Sequence, residues 1–271
     1  MNADLVRSAL RDIALVRRVY FFDEIVSTMD WAKDLVQRAN GSEDLSGTLV
    51  IANHQTAGRG RFDRKWSAPA GRALLLSFIV SARSHGTSAE DVHSGLLPSL
   101  REIAVAVPVA ACEAISEVAG VKARIKFPND IVASGKKCGG VLLESVSANG
   151  RTFAIAGLGI NVNQRAEELP PDARVLATSL FIEGGSEATP DHLLAAIMRS
   201  LSRLLAHPEA AVASMNLLCE TIGAHVHIAT LEGEIEGIAS GVTQEGGLVV
   251  RMVSGIEKVI HSGDVLQLTA S

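Results

Sequence analysis

A short basic segment between two apolar runs contains the side chains best suited to chemistry. It reads GRGRFDRKWSAPAG, residues 58–71, and it sets four cations against one acid, Asp63. The cations are Arg59, Arg61, Arg64 and Lys65. Arginine binds carboxylate and phosphate oxygens through paired hydrogen bonds, and Gly58 and Gly60 let backbone approach a ligand closely. The segment predicts a site that holds two mutually repelling anions, although a solvated basic hairpin would have the same composition.

A second segment, KFPNDIVASGKKCGGVLLE at residues 126–144, adds lysines and a proline turn. Asn129 and Asp130 follow that proline, and Gly139 and Gly140 open a strand. GKKCGG lacks the Gly-Lys-Ser/Thr spacing of a phosphate-binding loop. GLGIN at 157–161 lacks the third glycine of the dinucleotide fingerprint. The common nucleotide-binding folds are therefore disfavoured, while nucleotide binding itself stays open.

Composition limits the classes of partner. The chain has 271 residues, 47% hydrophobic, and a net charge of −5, which argues against general attraction to nucleic acid or anionic membranes. Cys112, Cys138 and Cys219 show no paired spacing, so neither a disulfide framework nor a zinc site is expected. No signal peptide or membrane-length apolar run is present. We expect a soluble, cytoplasmic protein.

Periodicity predicts the elements that position the basic segments. A helix is expected after Ser27 as N-cap, ending at Asn40-Gly41, and strands over 47–55 and 72–80 flank the basic loop. Further strands are expected over 123–130, 139–146 and 152–162, and a helix over 190–205 with Thr189 as its cap. After about residue 220, short strands alternate with glycine turns, as in a small β barrel. The predicted division is an α/β body, 1–219, and a β module, 220–271.

Four motifs together carry a resemblance to a known family. GRGRFDRKW, KFPNDI, GKKCGGVLLE and GLGINVN stand in the order found in biotin protein ligases, over roughly residues 20–270. The resemblance implies an α+β fold of the class II aminoacyl-tRNA synthetase and biotin synthetase type, a mixed β-sheet with helices packed on it. It also implies a C-terminal SH3-like β barrel. The implied reaction uses MgATP to form biotinyl-5′-AMP and then biotinylates one lysine of a carrier protein.

The resemblance also implies roles for individual residues. Lys137 and Arg61 are the implied catalytic residues, and Asp130 is the implied Mg²⁺ ligand. The implied biotin-binding residues are Ser27, Thr28, Met29, Gln55, Arg59, Gly60, Arg61, Lys137, Gly139 and Gly140. The implied ATP-binding residues are Arg59, Arg61, Arg64, Trp66, Asn129, Asp130 and Asn161.

Several of these residues have a structural alternative. Trp66 either packs on adenine or anchors the core, and Asn129 and Asp130 either contact nucleotide or shape a turn. Ser27 and Thr28 can cap a helix and contact biotin at the same time. No catalytic role is expected for His54, which strand alternation turns away from Gln55, or for the histidines of the β module.

Two positions depart from the family pattern. Met29 stands where the family commonly has asparagine after Ser-Thr, so one polar contact to the biotin ring is lost or passes to a backbone amide. Phe127 replaces a tryptophan, which keeps an aromatic ring. The change to Met29 is expected to affect the affinity for biotin more than the type of reaction.

Two other functions stay open at this point. A lipoate or octanoate ligase of the same fold would use a similar site, although the basic loop and the barrel favour biotin. A regulator that binds biotinyl-AMP and DNA would need a helix-turn-helix, and about twenty residues before the catalytic region are too few for one. The expected partner is a biotin carboxyl carrier protein or domain of acetyl-CoA carboxylase or a related carboxylase, with no DNA and no membrane. The chain is expected to be a monomer or homodimer.

Overall fold

A seven-stranded mixed sheet forms the body of the protein. The computed structural model describes residues 1–39, 43–62, 64–83, 97–170, 176–230, 233–261 and 264–269. The strand order is β1-β2-β5-β9-β8-β7-β6, with β1 and β2 parallel and the other neighbours antiparallel. The sheet strands are β1 Arg18–Ile25, β2 Thr48–Gln55, β5 Ala73–Ala82, β6 Arg124–Lys126, β7 Asp130–Ala133, β8 Lys136–Ala148 and β9 Arg151–Asn161. The expected mixed sheet with helices packed on it is confirmed.

The described helices cover both faces of this sheet. They are α1 Ala3–Leu10, α2 Thr28–Arg38, α3 Leu100–Ala119, α4 Leu180–Gly184, α5 Pro190–Ala206 and α6 Pro208–Leu218. Helices α3 and α5 pack together over one face, where most of the core lies. Helix α2 packs on the other face through Met29, Ala32 and Val36. Helices α2 and α5 bury an apolar stripe, as the 3.6-residue period predicts, whereas α3 is buried on all sides from Val105 to Cys112.

Helix starts partly follow the sequence signals. Ser27 caps α2, because its hydroxyl accepts a hydrogen bond from the amide of Asp30 at 3.3 Å. Thr189 occupies the cap position of α5 but makes no side-chain capping bond, so that detail of the prediction is wrong. Pro190 occupies the first turn, where its missing N–H costs nothing. The predicted stop at Asn40-Gly41 lies outside the described residues.

Side chains along β9 alternate between the two faces of the sheet, and the face toward α2 changes in character along the strand. Ala154, Ala156, Leu158 and Ile160 enter the large core, while Phe153 and Ile155 face α2. Gly157 and Gly159 continue the α2 face of the strand, because side chains alternate across a sheet. The α2 face of β9 thus has large side chains under α2 and only glycine at positions 157 and 159, near the start of that helix.

A second, five-stranded antiparallel sheet follows the body. Its order is β13-β12-β11-β10-β14, and its strands are β10 His225–Thr230, β11 Gly233–Val242, β12 Leu248–Arg251, β13 Glu257–Ile260 and β14 Asp264–Thr269. Glycine turns at Gly246 and Gly255 adopt positive φ, as the short hairpins require. The predicted turn residue Gly263 lies outside the described residues. In the described part of the chain, no helix is both long and apolar enough to cross a bilayer.

Candidate active site

A cavity of about 830 Å³ opens on the α2 face of the sheet. It lies where β9 presents Gly157 and Gly159 to this face, beneath a roof formed by the small hairpin of β3 (Gly58–Arg59) and β4 (Lys65–Trp66). Cationic side chains dominate its charged lining: Arg59, Arg61, Arg64, Lys65, Lys126 and Lys137. Asp130 is the one acid among the described lining residues. The structure therefore brings the basic segments at 58–66 and 126–137 into one cavity.

Glycine backbone forms part of the floor of this cavity and allows the side chains of Met29 and Trp66 to pack close to the sheet. A Cβ placed on Gly157 would lie 2.7 Å from Met29 Sδ, and one on Gly159 would lie 2.6 Å from Trp66 Cε2. Distances under 3 Å are excluded by van der Waals repulsion, so both positions need glycine in this arrangement. The sequence analysis treated these glycines as an imperfect dinucleotide fingerprint and as part of the GLGINVN motif, and it assigned neither of them to the site. Their alternate spacing on a predicted strand was the signal that could have identified a floor.

Trp66 lies between the sheet and the cavity. Its indole packs over Gly159 and beside Ala68, Ala73 and Leu75. The Trp66 Nε1–H group is buried, and no hydrogen-bond acceptor for it is found among the described residues. The ring has the expected core contacts and also lines the cavity. Both alternatives for this residue are therefore compatible with its position.

The end of the cavity beside α2 contains a hydrogen-bonded pair. Gln55 Oε1 accepts from the Thr28 amide at 2.7 Å and from the Thr28 hydroxyl at 3.0 Å. Both residues line the cavity, together with Met29. Met29 is 4% exposed and presents its thioether to the Gly157 backbone. This end is thus narrow, apolar at Met29 and polar at Gln55.

Arg59 is held by two carboxylates that the sequence analysis did not assign. Its guanidinium donates to Asp30 Oδ1 at 2.6 Å and to Glu144 Oε1 at 2.7 Å, while Lys33 pairs with the other oxygen of Glu144. Hydrogen bonding to Asp30 raises the pKa of Arg59 above its ordinary value, although burial opposes the rise. The group of Arg59, Lys33, Asp30 and Glu144 has no net charge. Arg59 therefore fixes the hairpin to α2 and β8, and it adds little net positive charge to the cavity.

Arg61 and Lys137 meet the turn that the proline motif predicted. Arg61 donates to Asn129 Oδ1 at 2.8 Å, and Asn129 in turn donates to the Val141 carbonyl at 2.7 Å. Lys137 Nζ contacts Asp130 Oδ1 at 2.5 Å. Asn129 and Asp130 thus shape the turn and also hold the two basic side chains. The structure thus bears out the turn-shaping role of this pair, and contact with nucleotide stays a prediction.

The Lys137 backbone is anchored by a separate segment at 176–178. The Lys137 amide donates to the Leu176 carbonyl at 2.7 Å, and the Thr178 amide donates to the Lys137 carbonyl at 2.8 Å. Asn161 donates to the Thr178 carbonyl at 2.9 Å and accepts from Gln164 at 2.8 Å. Asn161 lines the cavity, but much of its amide serves this anchoring.

Two of the predicted site residues, Ser27 and Gly139, lie away from the cavity lining. Ser27 is 1% exposed and caps α2. Gly139 faces the large core, where a Cβ would meet Ile131, because strand alternation turns Gly140 instead toward the cavity. His54 lies beside the Ala68 carbonyl at 3.3 Å and does not line the cavity, as alternation predicted. Asp63 falls outside the described residues.

The donor set suits a magnesium ion that arrives with a nucleotide. In the described ranges, no cluster of three or more His, Cys, Asp or Glu side chains could hold a metal ion by itself. Mg²⁺ is commonly bound through one or two carboxylates together with substrate phosphates. Asp130 is placed to be such a carboxylate, and the residues fit that role.

Two family models match separate parts of this chain. Residues 22–163 match the biotin/lipoate A/B protein ligase family, and residues 221–266 match the biotin protein ligase C-terminal domain. The bifunctional ligase/repressor BirA of Bacillus subtilis is 32% identical over 96% of this chain and 77% of its own length. The biotin–[acetyl-CoA-carboxylase] ligase of Mycobacterium tuberculosis is 31% identical over 91% of this chain and 88% of its own length.

A solved structure supports the same relationship. The biotin protein ligase of Aquifex aeolicus in complex with biotin and ATP superposes with a TM-score of 0.74 at 26% identity. The alignment covers 94% of this chain and all of that chain. The match therefore extends through the body and the C-terminal sheet. With the ordered motifs, the cavity and the two matched regions, these comparisons show that the chain belongs to the biotin protein ligase family of enzymes.

Proposed function

We propose that this protein uses MgATP to convert biotin into biotinyl-5′-AMP and then transfers biotin to a lysine of a biotin carboxyl carrier protein. The observation that carries the proposal is the meeting of Arg61, Lys137 and Asp130 above a glycine floor in one cavity. The matched C-terminal domain favours biotin over lipoate, since its description names biotin protein ligases.

The first half-reaction requires two anions to be brought together. The biotin carboxylate oxygen attacks the α-phosphorus of ATP, a P–O bond forms, and pyrophosphate leaves. Two unit charges 4 Å apart repel by about 4 kcal/mol at an effective dielectric near 20. Arg61 supplies fixed positive charge beside both groups, and Lys137 adds hydrogen-bond donors from its pair with Asp130. Together they stabilise the charge that develops in the transition state. Holding both reactants in one cavity also removes an entropic barrier.

Each part of the cavity then has a distinct task. The apolar and amide-bearing end at Met29 and Gln55 suits the biotin ring, because an amide can match a ureido group. Trp66 and the floor at Gly159 suit the adenine side, where the free indole N–H can donate. Mg²⁺ held by the phosphates and Asp130 would neutralise phosphate charge. In the second half-reaction the carrier lysine attacks the activated carbonyl and AMP leaves.

The proposal is tested by ATP–pyrophosphate exchange with the purified chain. Biotin should stimulate exchange in the wild type, and lipoate should not. Lys137→Gln removes the charge beside the reacting carboxylate, so exchange should fall by about 10²-fold or more. The neighbouring Lys136→Gln is a matched control, because Lys136 lies on the same strand and does not line the cavity.

Each outcome separates one part of the proposal from the others. Exchange driven by lipoate alone would assign a lipoate ligase instead. Equal activity in Lys137→Gln and Lys136→Gln would refute the role of Lys137. Transfer is measured separately, by incubating preformed biotinyl-5′-AMP with an isolated biotin carboxyl carrier domain and detecting biotinylated lysine.

A further inference from the structure

A single buried hydroxyl interrupts an otherwise apolar strand beneath the cavity. Ser77 stands at the middle of β5, ALLLSFIVSA, and it is 0% exposed. Its neighbours in the sheet are Val50 on β2 and Gly157 on β9. It therefore lies on the cavity face, beside the floor and under the start of α2. A buried hydroxyl needs a partner, and the identity of that partner is informative.

The backbone amide of Thr28 determines which group donates in each hydrogen bond of the chain Gln55–Thr28–Ser77. The Thr28 amide can only donate, so the Gln55 atom at 2.7 Å from it must be the amide oxygen. That oxygen carries no proton, so the Thr28 hydroxyl, 3.0 Å away, must donate to it. The one hydroxyl proton of Thr28 is then used. Ser77 must therefore donate to Thr28 Oγ1, at 2.8 Å.

These three hydrogen bonds use the acceptor groups of Thr28 and Gln55 and leave the N–H donors of Gln55 available. Ser77 occupies the acceptor side of Thr28, and Thr28 supplies two hydrogen bonds to the acceptor side of Gln55. What Gln55 can still offer is its Nε2 group, which lies beside Gly58, 3.1 Å from where a Cβ on that glycine would be. An Nε2 group has two N–H donors and no acceptor. This end of the cavity is thus suited to a ligand atom that accepts hydrogen bonds.

We infer that Ser77 is a positioning residue. Its hydrogen bond occupies the acceptor side of the Thr28 hydroxyl, so that the ring-binding end, where the Thr28 backbone amide orients Gln55, selects an acceptor such as a ureido oxygen. The inference rests on the proposed function and refines it. It assigns to a buried strand residue a part of the substrate selectivity that the contact residues alone do not explain. Ser77 acts through Thr28 and Gln55 and has no role in the chemical steps.

The test uses direct binding of two ligands of opposite polarity. In 2-iminobiotin an imino group replaces the ureido oxygen; at neutral pH this group is protonated, so it donates N–H and carries positive charge. The comparison is therefore the ratio of the two affinities in wild type and variant at one pH, where the charge of the ligand is the same. Wild-type protein should prefer biotin. Ser77→Ala removes a buried hydrogen bond and frees the acceptor side of Thr28, so affinity for biotin should fall about two- to tenfold. The preference for biotin over 2-iminobiotin should narrow by a similar factor, and the KM for ATP should not change.

Two controls separate this role from a structural one. Ser81→Ala removes a hydroxyl from the same strand and face at a position that does not line the cavity, and it should leave both affinities unchanged. Ser77→Cys retains the volume and a weak donor, and it should be intermediate. An unchanged ratio of the two affinities in Ser77→Ala, or an equal loss for biotin and ATP, would overturn the inference. If the wild type bound no biotin at all, the proposed function itself would fail.

Discussion

Single residues in this site often serve both the fold and the proposed chemistry. Asn129 links Arg61 to the Val141 carbonyl, and Asp130 contacts Lys137. Motif recognition identified these side chains, but it could not foresee that Arg59 is bound by Asp30 and Glu144. Asp30 and Glu144 are 114 residues apart in the chain, so only the fold brings them together. Short-range spacing carries no information about such a pairing.

The two floor glycines offer a paired test at the residue scale. Gly157→Ala meets the end of the flexible Met29 side chain, whereas Gly159→Ala meets the rigid indole of Trp66. Because methionine can change rotamer and an indole cannot yield internally, Gly159→Ala should cost more stability, about 1–3 kcal/mol. Urea unfolding measures this difference. In exchange assays, Gly157→Ala should mainly raise the KM for biotin, and Gly159→Ala the KM for ATP.

This pair also tests the assignment of the two ends of the cavity. If both variants raised the KM values for biotin and ATP equally, the separation into a ring end and an adenine end would be wrong. Gly150→Ala would be a poor control, since that glycine has φ of +75° and strains any side chain. Ala154→Gly is a better control, because it changes the same strand on the core face and should leave the KM values for biotin and ATP unchanged.

At the scale of elements, one carboxylate ties the Lys137 strand to its anchoring segment. Glu183 on α4 accepts from Ser134 at 2.6 Å and from Thr178 at 2.7 Å. Burial alone would raise the pKa of Glu183, but these hydrogen bonds and the charge of Lys136 outweigh it and lower the pKa below its ordinary value. The anchoring thus depends on the ionised carboxylate.

Glu183 should therefore give a stability contribution that depends on pH. A carboxyl group whose pKa is lowered by folding stabilises the protein above its unfolded pKa, about 4.3, and loses this contribution as pH falls through the lower folded value. Glu183→Gln should reduce the melting temperature at pH 7, and the difference from wild type should shrink below about pH 4. Calorimetry at both pH values measures this. A difference that stayed constant across the range would show that ionisation plays no part.

The sequence predicted most elements because their patterns are local. The strands at 48–55 and 73–82 and the helix at 190–206 agree closely with their apolar periods. Gly139 was placed in the site by motif alone, whereas the pleat turns it toward Ile131. The N-cap bond of Thr189 was also wrong, because a cap residue can hold the right backbone position without a side-chain hydrogen bond. Ser77 was missed, since one serine in an apolar strand resembles ordinary variation.

At the scale of the whole molecule, the second sheet is joined to the body directly behind the cavity. Thr221, which is 0% exposed, accepts a hydrogen bond from the buried Phe127 amide at 3.0 Å. The Glu220 amide donates to the Ile125 carbonyl at 2.9 Å, so the junction lies along β6. Phe127 itself lines the cavity and precedes the turn of Asn129. The junction therefore supports the wall that holds Arg61.

Thr221→Val should affect both stability and the small-molecule reaction. The substitution keeps the shape but leaves the Phe127 amide buried without an acceptor, which costs about 1–3 kcal/mol. Denaturant unfolding should show this loss, and exchange should show a raised KM for ATP. Thr221→Ser retains the hydroxyl and should behave like wild type. If Thr221→Val were less stable than wild type but had the same KM for ATP, the junction would contribute to folding and not to the reaction.

The glycine floor has a consequence for how the enzyme responds to heat. One strand, β9, contributes both to the core under α2 and to the floor of the cavity. We therefore expect the cavity to unfold together with this core and not separately. Activity and ordered structure should disappear in one thermal transition.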